Sequence, residues 1–364
     1  MRNALVFCTL FLCAIAQAAG PKTMATLDRS ALNTPAITSA SAYNAASRLE
    51  ILAFAHALAN SETLSSPQLQ ERLAVKTLNP DAVNKVRQRY WQTLLTNYRY
   101  ATQGCDDCET APTRDALRQL AAAAQIDPAR ALFHRHYLDE QLRLAALFPA
   151  ISSEIDVFSD AEMNGDRLKD GEFLLTFDDG PDTSGGNTER LLAVLRQHAL
   201  NGIFFALGEK LQQRAQQRPG SIAALYQGQC LGMHGWQHQT HARGETWQRS
   251  VLDSAVLIKQ LAPQSYVALF RPPYGQRKAD SAPFFAANAV RVTLWNIDSQ
   301  DWSRQVNAAQ TADRVLTLML LWRHGIILFH DVHDKAPAAV ETLQSQLQSA
   351  GIRWLDCRQF AAGN

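Results

Sequence analysis

Two adjacent carboxylates in the second half of the chain stand where a buried strand is expected to end. Asp178 and Asp179 follow the apolar residues 174–177, and Gly180 and Pro181 come directly after them. Because proline has no N–H and a fixed φ, a strand cannot continue through this position. Parallel α/β proteins usually place catalytic groups at the carboxyl ends of their strands. Taken alone, the same residues also fit a solvated turn.

A second group of polar residues is suited to binding a metal ion. His234 and His238 follow the strand-like segment 230–233 and stand four positions apart. Two histidines at this spacing lie on one face of a helical turn and can bind the same ion. With Asp179 they form a His₂–Asp set that leaves one coordination position open, as in catalytic zinc sites. His241 is a competing candidate for a ligand.

Three further predicted strands end in polar motifs. These are Arg271-Pro272-Pro273-Tyr274-Gly275, Asp298-Ser299-Gln300-Asp301-Trp302 and Leu328-Phe329-His330-Asp331. The two prolines stiffen the first loop, which suits a guanidinium and a backbone N–H that must stay in place. Each motif alone has an ordinary structural explanation, such as a proline turn or an aspartate cap. Their joint occurrence at five strand ends favours one shared active site.

In these motifs the segment from about residue 172 to residue 357 resembles the polysaccharide deacetylase family, carbohydrate esterase family four. The resemblance implies a distorted (β/α) barrel that removes acetyl groups from N-acetylglucosamine units. It also implies a divalent metal, usually Zn²⁺, with Co²⁺, Mn²⁺ and Ni²⁺ as alternatives. By this resemblance, the metal ligands would be Asp179, His234 and His238.

The same resemblance implies roles for the remaining motif residues. Asp178 would act as the catalytic base, and Arg271 would hold its charge. Asp301 would orient His330, the acid that protonates the leaving amine. Tyr274 would lend its backbone N–H to the oxyanion, and Trp302 and Leu328 would line the acetyl pocket.

The chain departs from the family pattern at one position. The family usually has Ser or Thr directly after the first metal histidine, and this chain has Gly235. That hydroxyl helps to brace the loop, so its loss is expected to loosen the surroundings of the metal. Changes of this kind commonly cost about 10- to 100-fold in metal affinity or activity. Because the ligands, base, arginine and acid are present, we expect the site to survive.

The N-terminus and the overall composition predict an exported protein. Residues 4–15 form an apolar run behind Arg2, and Ala16-Gln17-Ala18 matches a cleavage site. The run is short for a membrane span, so we predict a signal peptide at 1–18 and a periplasmic or secreted protein whose mature chain has no span. An uncleaved anchor helix is the alternative. With 35 Lys+Arg against 34 Asp+Glu, no basic excess indicates a nucleic-acid partner.

The 364 residues are enough for two domains. Helical periodicity and the cap pairs Asn79-Pro80 and Asp127-Pro128 predict a helical domain at 19–150, whose residues 19–33 are expected to be mobile. A polar connector is predicted at 151–171 and an alternating β/α domain at 172–364, with one strand at 291–297. The helical domain either docks on the barrel and closes one end of the groove or recruits a protein partner.

Four cysteines remain after the predicted signal peptide is removed: Cys105, Cys108, Cys230 and Cys357. An even number in an exported protein indicates disulfides. Cys105 could pair with Cys108 in a tight loop, and Cys230 could pair with Cys357. Four cysteines allow three connectivities, however, and free thiols also fit the sequence.

The sequence thus predicts an exported, metal-dependent hydrolase that removes N-acetyl groups from an N-acetylglucosamine-containing glycan. The glycan is left open among peptidoglycan, chitooligosaccharides and an exopolysaccharide. One alternative is a module of the same fold that binds glycan without turnover, although neither the base nor the acid is missing. Another is a metal-dependent hydrolase of a different amide or ester, because a scaffold does not fix its substrate.

Overall fold

The structure is a computed structural model that describes residues 23–32 and 34–363, so the predicted signal peptide lies outside the described residues. Within these described residues, five α-helices precede the first strand: α1 (Ala40–Glu62), α2 (Ser66–Leu73), α3 (Pro80–Ala101), α4 (Arg114–Ala123) and α5 (Pro128–Leu147). Strands and helices then alternate: β1 (Glu172–Asp178), α6 (Asn187–Gln197), β2 (Ile203–Ala206), α7 (Gly208–Gln217), α8 (Ser221–Leu225), β3 (Cys230–Met233), α9 (Trp247–Leu261), β4 (Tyr266–Phe270), α10 (Ala282–Ala287), β5 (Arg291–Val292), β6 (Ile297–Asp298), α11 (Ala308–Trp322), β7 (Gly325–His330), α12 (Lys335–Leu347), β8 (Arg353–Trp354) and α13 (Cys357–Ala362).

The predicted helix starts are confirmed by their capping contacts. The side chain of Asn79 accepts a hydrogen bond from the N–H of Ala82 at the start of α3. Asp127 caps α5 in the same way, by accepting from the N–H groups of Ala129 and Arg130. In both helices proline occupies the first turn, where its missing N–H would have no partner within the helix. Local sequence is therefore sufficient to begin these helices.

The strands form one sheet in the order β5-β4-β3-β2-β1-β7-β6, and β8 pairs with β1. Every pairing between these strands is parallel. All seven residues of β1 are buried, which agrees with a central strand that is covered on both faces. The predicted distorted (β/α) barrel with helices before it is confirmed as the fold class.

The predicted connector pairs with the chain at the end of the edge strand β5. Met163 donates its N–H to the carbonyl of Val292 at 2.9 Å and accepts from the N–H of Leu294 at 2.6 Å. It therefore pairs beside Thr293 as an isolated parallel bridge. The single strand predicted at 291–297 is wrong, because the chain leaves β5 here and returns to the sheet only as β6.

The N-terminal helices pack on α11 and cap its C-terminal end. The last carbonyls of a helix have no partner within it. Here the hydroxyls of Tyr43 and Ser47 donate to the carbonyls of Met319 and Leu320. The side-chain amide of Asn97 donates to the next two carbonyls, at 3.1 and 2.9 Å. The helical region and the barrel thus share a buried interface.

The described part of the segment expected to be mobile, residues 23–32, is packed against the rest of the protein. Met24, Ala25 and Leu27 are buried. The N–H of Ala25 donates to Glu140, whose carboxylate also forms a buried ion pair with Arg314 of α11. Apolar burial and this ion pair hold the segment between the helical region and the barrel.

The two cysteine pairs considered from the sequence are both present as disulfides. Cys105 is bonded to Cys108, and Cys230 is bonded to Cys357. The second bond joins β3 to the start of α13, and both of its cysteines are completely buried. Among the residues that the structure describes, no helix has the length and apolar character that crossing a membrane requires.

Candidate metal centre and active site

The polar motifs meet at the carboxyl edge of the sheet because the strands that carry them are parallel. Backbone hydrogen bonds continue just past the strand ends and fix the registers of the motifs. The N–H of His234 donates to the carbonyl of Ala206 at 3.0 Å, and that of Arg271 donates to Met233 at 2.9 Å. The ends of β1, β3, β4, β6 and β7 thereby present their side chains to one site.

Asp179, His234 and His238 form a cluster that can hold a metal ion, with one ligand atom from each within 4.8 Å of the others. The Nε2 atoms of His234 and His238 lie 3.2 and 3.4 Å from Oδ1 of Asp179. His234 donates its Nδ1–H to the carbonyl of Arg271 at 2.7 Å, which leaves the lone pair of Nε2 facing the carboxylate. Oδ1 of Asp179 is buried and receives no hydrogen bond. An acceptor surrounded by other acceptors fits a bound cation.

The ionisation of this cluster also fits a cation. Burial lowers the pKa of His238 to about 4, and the neighbouring His234 acts in the same direction, so the neutral, ligating imidazole is favoured. Burial opposes ionisation of Asp179, but its interaction with the adjacent His234 ring, aided by His330 and His238, lowers its pKa well below the usual range. The arrangement is a charged carboxylate beside a neutral imidazole.

The backbone at Asp179 is held in an unusual conformation. Its φ is 76°, in the left-handed region that aspartate tolerates better than most residues. The next residue must be glycine, since a Cβ on Gly180 would lie 2.1 Å from Oδ2 of Asp331. Asp331 is buried and accepts a hydrogen bond from the hydroxyl of Thr188 at 2.8 Å. Burial raises the pKa of Asp331 to about 7. This packing fixes where the Asp179 carboxylate points.

The spacing of His234 and His238 predicted that both lie on one helical turn, and this prediction is wrong. Residues 234–238 form a loop, and Gly235 has a φ of 86°. The rings of His234 and His238 lie 5.3 Å apart between centroids. His241 is not part of the cluster, because its ring nitrogens contact the carbonyl of Gln239 and the hydroxyl of Ser250.

Asp178 is paired with a buried arginine. Nη1 of Arg271 donates to Oδ1 of Asp178 at 2.9 Å and to the hydroxyl of Thr176 at 2.7 Å. Its Nε and Nη2 donate to the carbonyls of Thr293 and Leu294. Burial lowers the pKa of Arg271, and the charge of Asp178 opposes that shift. Oδ2 of Asp178 remains 3.8 Å from Nε2 of His234, on the side of the metal cluster.

His330 is paired with Asp301. Its Nδ1 lies 2.7 Å from Oδ1 of the carboxylate, and its backbone N–H donates to Oδ2 at 2.8 Å. Burial alone would lower the pKa of His330, but the charge and hydrogen bond of Asp301 outweigh it. Together with Asp179 and Asp178, they raise this pKa to about 10. Nε2 is left to carry a proton toward the site.

The residues assigned to the oxyanion and the acetyl pocket differ in exposure. The Tyr274 side chain is 48% exposed and its ring lies 4.4 Å from that of His238, and the Trp302 side chain is 43% exposed. Leu328 is buried within β7. Tyr274 has a φ of 60°, so the loop after β4 turns sharply at this residue. Tyr274 thus borders the site beside His238, Trp302 is partly exposed, and Leu328 offers little surface.

Arg277 supports the Tyr274 loop and has no sequence signature. Its guanidinium is buried and donates to the carbonyls of Ser153 and Gly275 at 2.7 and 3.0 Å, to the carbonyl of Asp156 at 3.1 Å and to Glu162. The connector is therefore bound to the loop that carries Tyr274. A single arginine two residues beyond a motif offers no pattern by which it could have been found.

α3 anchors the connector in turn. Lys85 forms an ion pair of 2.7 Å with Asp156, and Arg89 donates a hydrogen bond to the carbonyl of Ile155. A path of polar contacts thus runs from the N-terminal helices through the connector to the active-site edge. These contacts join residues far apart in sequence, so no local pattern predicts them.

Comparison with known proteins identifies relatives of the α/β region. The family model described as polysaccharide deacetylase matches residues 165–295. A chitooligosaccharide deacetylase of Sinorhizobium fredii is 33% identical over 160 residues, which cover 43% of this chain and 70% of that protein. The peptidoglycan-N-acetylglucosamine deacetylase PgdA of Listeria monocytogenes is 29% identical over 186 residues, which cover 50% of this chain and only 37% of that protein. Among solved structures, peptidoglycan deacetylase PdaC from Bacillus subtilis shares 26% identity over 53% of this chain and 91% of that chain, with a TM-score of 0.45.

Proposed function

Since the chain belongs to the polysaccharide deacetylase family, we propose that it is a metal-dependent enzyme that hydrolyses N-acetyl groups of an N-acetylglucosamine-containing glycan. One observation carries the proposal. An arginine-paired carboxylate, Asp178, borders a His₂–Asp cluster at the sheet edge that also carries the His330–Asp301 pair. A base, a cation site and an acid within one site are the groups that amide hydrolysis requires.

The proposed metal ligands are Asp179, His234 and His238. Two imidazoles and one carboxylate suit Zn²⁺, and Co²⁺, Mn²⁺ or Ni²⁺ are alternatives. When bound, a divalent metal polarises the amide carbonyl and lowers the pKa of a water molecule. The buried Oδ1 of Asp179, which has no hydrogen-bond donor, supports this assignment.

Asp178 is the proposed base. Its Oδ2 faces the cluster and takes the proton of the attacking water, while Oδ1 stays bonded to Arg271. The guanidinium cannot move, because its other donors bind backbone carbonyls and a buried hydroxyl. The proposed oxyanion donor is the backbone N–H of Tyr274, in a loop that is bound to the connector.

His330 is the proposed acid. Amine departure requires a proton, and His330 holds one at Nε2 because Asp301 stabilises the charged ring. The aromatic side chains of Tyr274 and Trp302 are both partly exposed, and we assign them contacts with the sugar and its acetyl group. Leu328 is proposed to line the acetyl pocket from β7.

The proposal includes export and the division of the chain. A signal peptide at 1–18 would direct the protein to the periplasm or the exterior, where the two disulfides would persist. We divide the mature chain into a helical domain at 19–150, a connector at 151–171 and the deacetylase domain at 172–364. The glycan is peptidoglycan, a chitooligosaccharide or an exopolysaccharide, and a protein partner would bind through the helical domain.

The test is release of acetate from N-acetylglucosamine oligomers and from peptidoglycan. Metal-stripped protein is assayed with and without added zinc, beside the variants Asp178→Asn and Asp160→Asn. Asp160 has an exposed side chain and serves as the matched control. We expect zinc-dependent acetate from the wild type and the control and none from Asp178→Asn.

The other outcomes separate the alternatives. Zinc binding without acetate from any glycan, but with hydrolysis of another acetylated amide or ester, would replace the proposed substrate. Glycan binding without any hydrolysis would favour a binding module. Absence of zinc binding would reject the metal-dependent mechanism.

A further inference from the structure

The position of Gly235 is enclosed by two side chains from later in the sequence. A Cβ on Gly235 would lie 2.7 Å from Cε1 of His241 and 3.0 Å from both its Nε2 and Oγ of Ser250. Such distances are shorter than normal contacts, and the φ of 86° is one that side-chain-bearing residues rarely adopt. The space that a serine or threonine would need at this position is therefore occupied.

The occupying groups supply a hydroxyl to the loop. Ser250, in the first turn of α9, accepts a hydrogen bond from the N–H of Trp236 at 2.7 Å. Its Oγ also lies 3.1 Å from Nε2 of His241, whose Nδ1 lies 2.9 Å from the carbonyl of Gln239. A carbonyl can only accept, so Nδ1 carries the proton and Nε2 accepts from the serine hydroxyl.

The hydrogen bonds of Ser250 and His241 hold the backbone on both sides of His238. They fix the backbone at Trp236 and Gln239, on either side of the histidine, and anchor both to α9. On the other side of the loop, the N–H groups of Gly208 and Glu209 donate to the carbonyls of Gly235 and Trp236 at 3.0 Å each. The loop is thus held by the N-terminal ends of two helices.

We propose that Ser250 and His241 are positioning residues that replace the hydroxyl missing at Gly235 and hold His238 in its ligating position. The inference rests on the proposed metal site and extends it to residues that touch neither metal nor substrate. It also changes the effect expected of Gly235 on the metal site. Gly235 does not weaken the site by itself, because its missing side chain makes room for an alternative brace.

The test is zinc affinity, measured without substrate by competition with a chelating dye. Ser250→Ala is expected to weaken zinc binding about 10- to 100-fold, as is usual when a group that orients a ligand is lost. Ser250→Thr keeps the hydroxyl and should restore most of the affinity. Ser254→Ala is the matched control, because Ser254 is a buried serine of α9 whose hydroxyl donates to the carbonyl of Ser250 and not to the loop.

A second comparison tests whether the glycine and the histidine are coupled. Gly235→Ser alone should reduce zinc affinity and lower the melting temperature, because the new side chain collides with His241. Removing that contact in Gly235→Ser with His241→Ala should recover part of both losses. If the two residues are coupled, the double variant should bind zinc more tightly than the summed effects of Gly235→Ser and His241→Ala predict.

The outcomes separate this inference from the proposed function. If the wild type binds zinc and Ser250→Ala binds it equally well, the brace is overturned and the metal site stands. If zinc affinities change as expected but no glycan is deacetylated, the brace stands and the proposed function fails. If the wild type binds no zinc, both fail.

Discussion

Replacement of Asp301 by asparagine should move the alkaline limit of activity. The carboxylate of Asp301 contacts His330 at both Nδ1 and the backbone N–H. It is the largest of the influences that raise the pKa of His330 to about 10, against a burial effect that lowers it. Asp301→Asn removes the charge and keeps the size of the side chain. The pKa of His330 should then fall to its ordinary value of about 6.5 or below.

The size of the effect follows from the fraction of His330 that is protonated. With a pKa of about 10, nearly all of the wild-type protein carries the proton at pH 8.5. With a pKa of about 6.5, only about 1% of the variant would, so kcat/KM at pH 8.5 should fall about 100-fold. At pH 6 the two proteins should differ far less, because both hold the proton.

Stability gives a second readout that does not require catalysis. A histidine whose pKa is raised on folding stabilises the protein fully below about pH 6.5, and this stabilisation disappears as pH rises through about 10. The interval of about 3.5 units corresponds to at most about 5 kcal/mol. In metal-free protein, wild type should therefore melt above Asp301→Asn at pH 6, and the difference should shrink toward pH 10.

The assay is the pH profile of acetate release between pH 6 and 10.5, with melting temperatures recorded at the same pH values. Asp160→Asn, which alters an exposed carboxylate, controls for the loss of one negative charge. An alkaline limit that stays at the wild-type pH in Asp301→Asn would refute the role assigned to this ion pair. So would a melting difference that is constant across the whole pH range.

Two further predictions concern the supports of the site. Replacing Cys230 and Cys357 by serine opens a loop whose ends are 127 positions apart, which should cost about 5 kcal/mol of unfolding free energy and lower the melting temperature. Reductant should destabilise the wild type more than this variant, which keeps only the Cys105–Cys108 bond. Equal melting temperatures of the two proteins in oxidising buffer would contradict this expectation. Arg277→Leu leaves the carboxylate of Glu162 buried without its cation, which should lower the free energy of unfolding by about 3–5 kcal/mol. The same variant should lower kcat more than zinc affinity, because the Tyr274 loop loses its anchor. The double variant with Glu162→Gln should recover stability but not kcat, and recovery of both would show that Arg277 acts on stability alone.

Local sequence was sufficient for the elements whose cause is local. The apolar residues before Asp178 predict β1, and Gly180 and Pro181 predict its end, because both effects act within a few residues. Helix caps were predicted for the same reason. Where a distant segment competes for backbone hydrogen bonds the prediction failed, as at Met163, whose pairing divides the strand expected at 291–297.

The buried N-terminal segment shows a similar limit. Its composition of small and polar residues predicts mobility, yet Ala25 is buried against Glu140, and that carboxylate also binds Arg314. Composition describes the segment by itself, whereas its order depends on the surface it meets. Nothing in residues 19–33 indicates that α5 and α11 provide such a surface.

By itself, the sequence determined which residue types stand at the ends of the strands, and therefore the kind of chemistry that the site can perform. Only the tertiary structure decided how these residues are held. The packing of Asp331 against Gly180, the pairing of Arg277 with the connector and the packing of His241 and Ser250 around Gly235 all join segments that are separated along the chain. A motif identifies a reactive group because its chemistry is its own. The position of that group depends on neighbours that only folding brings together.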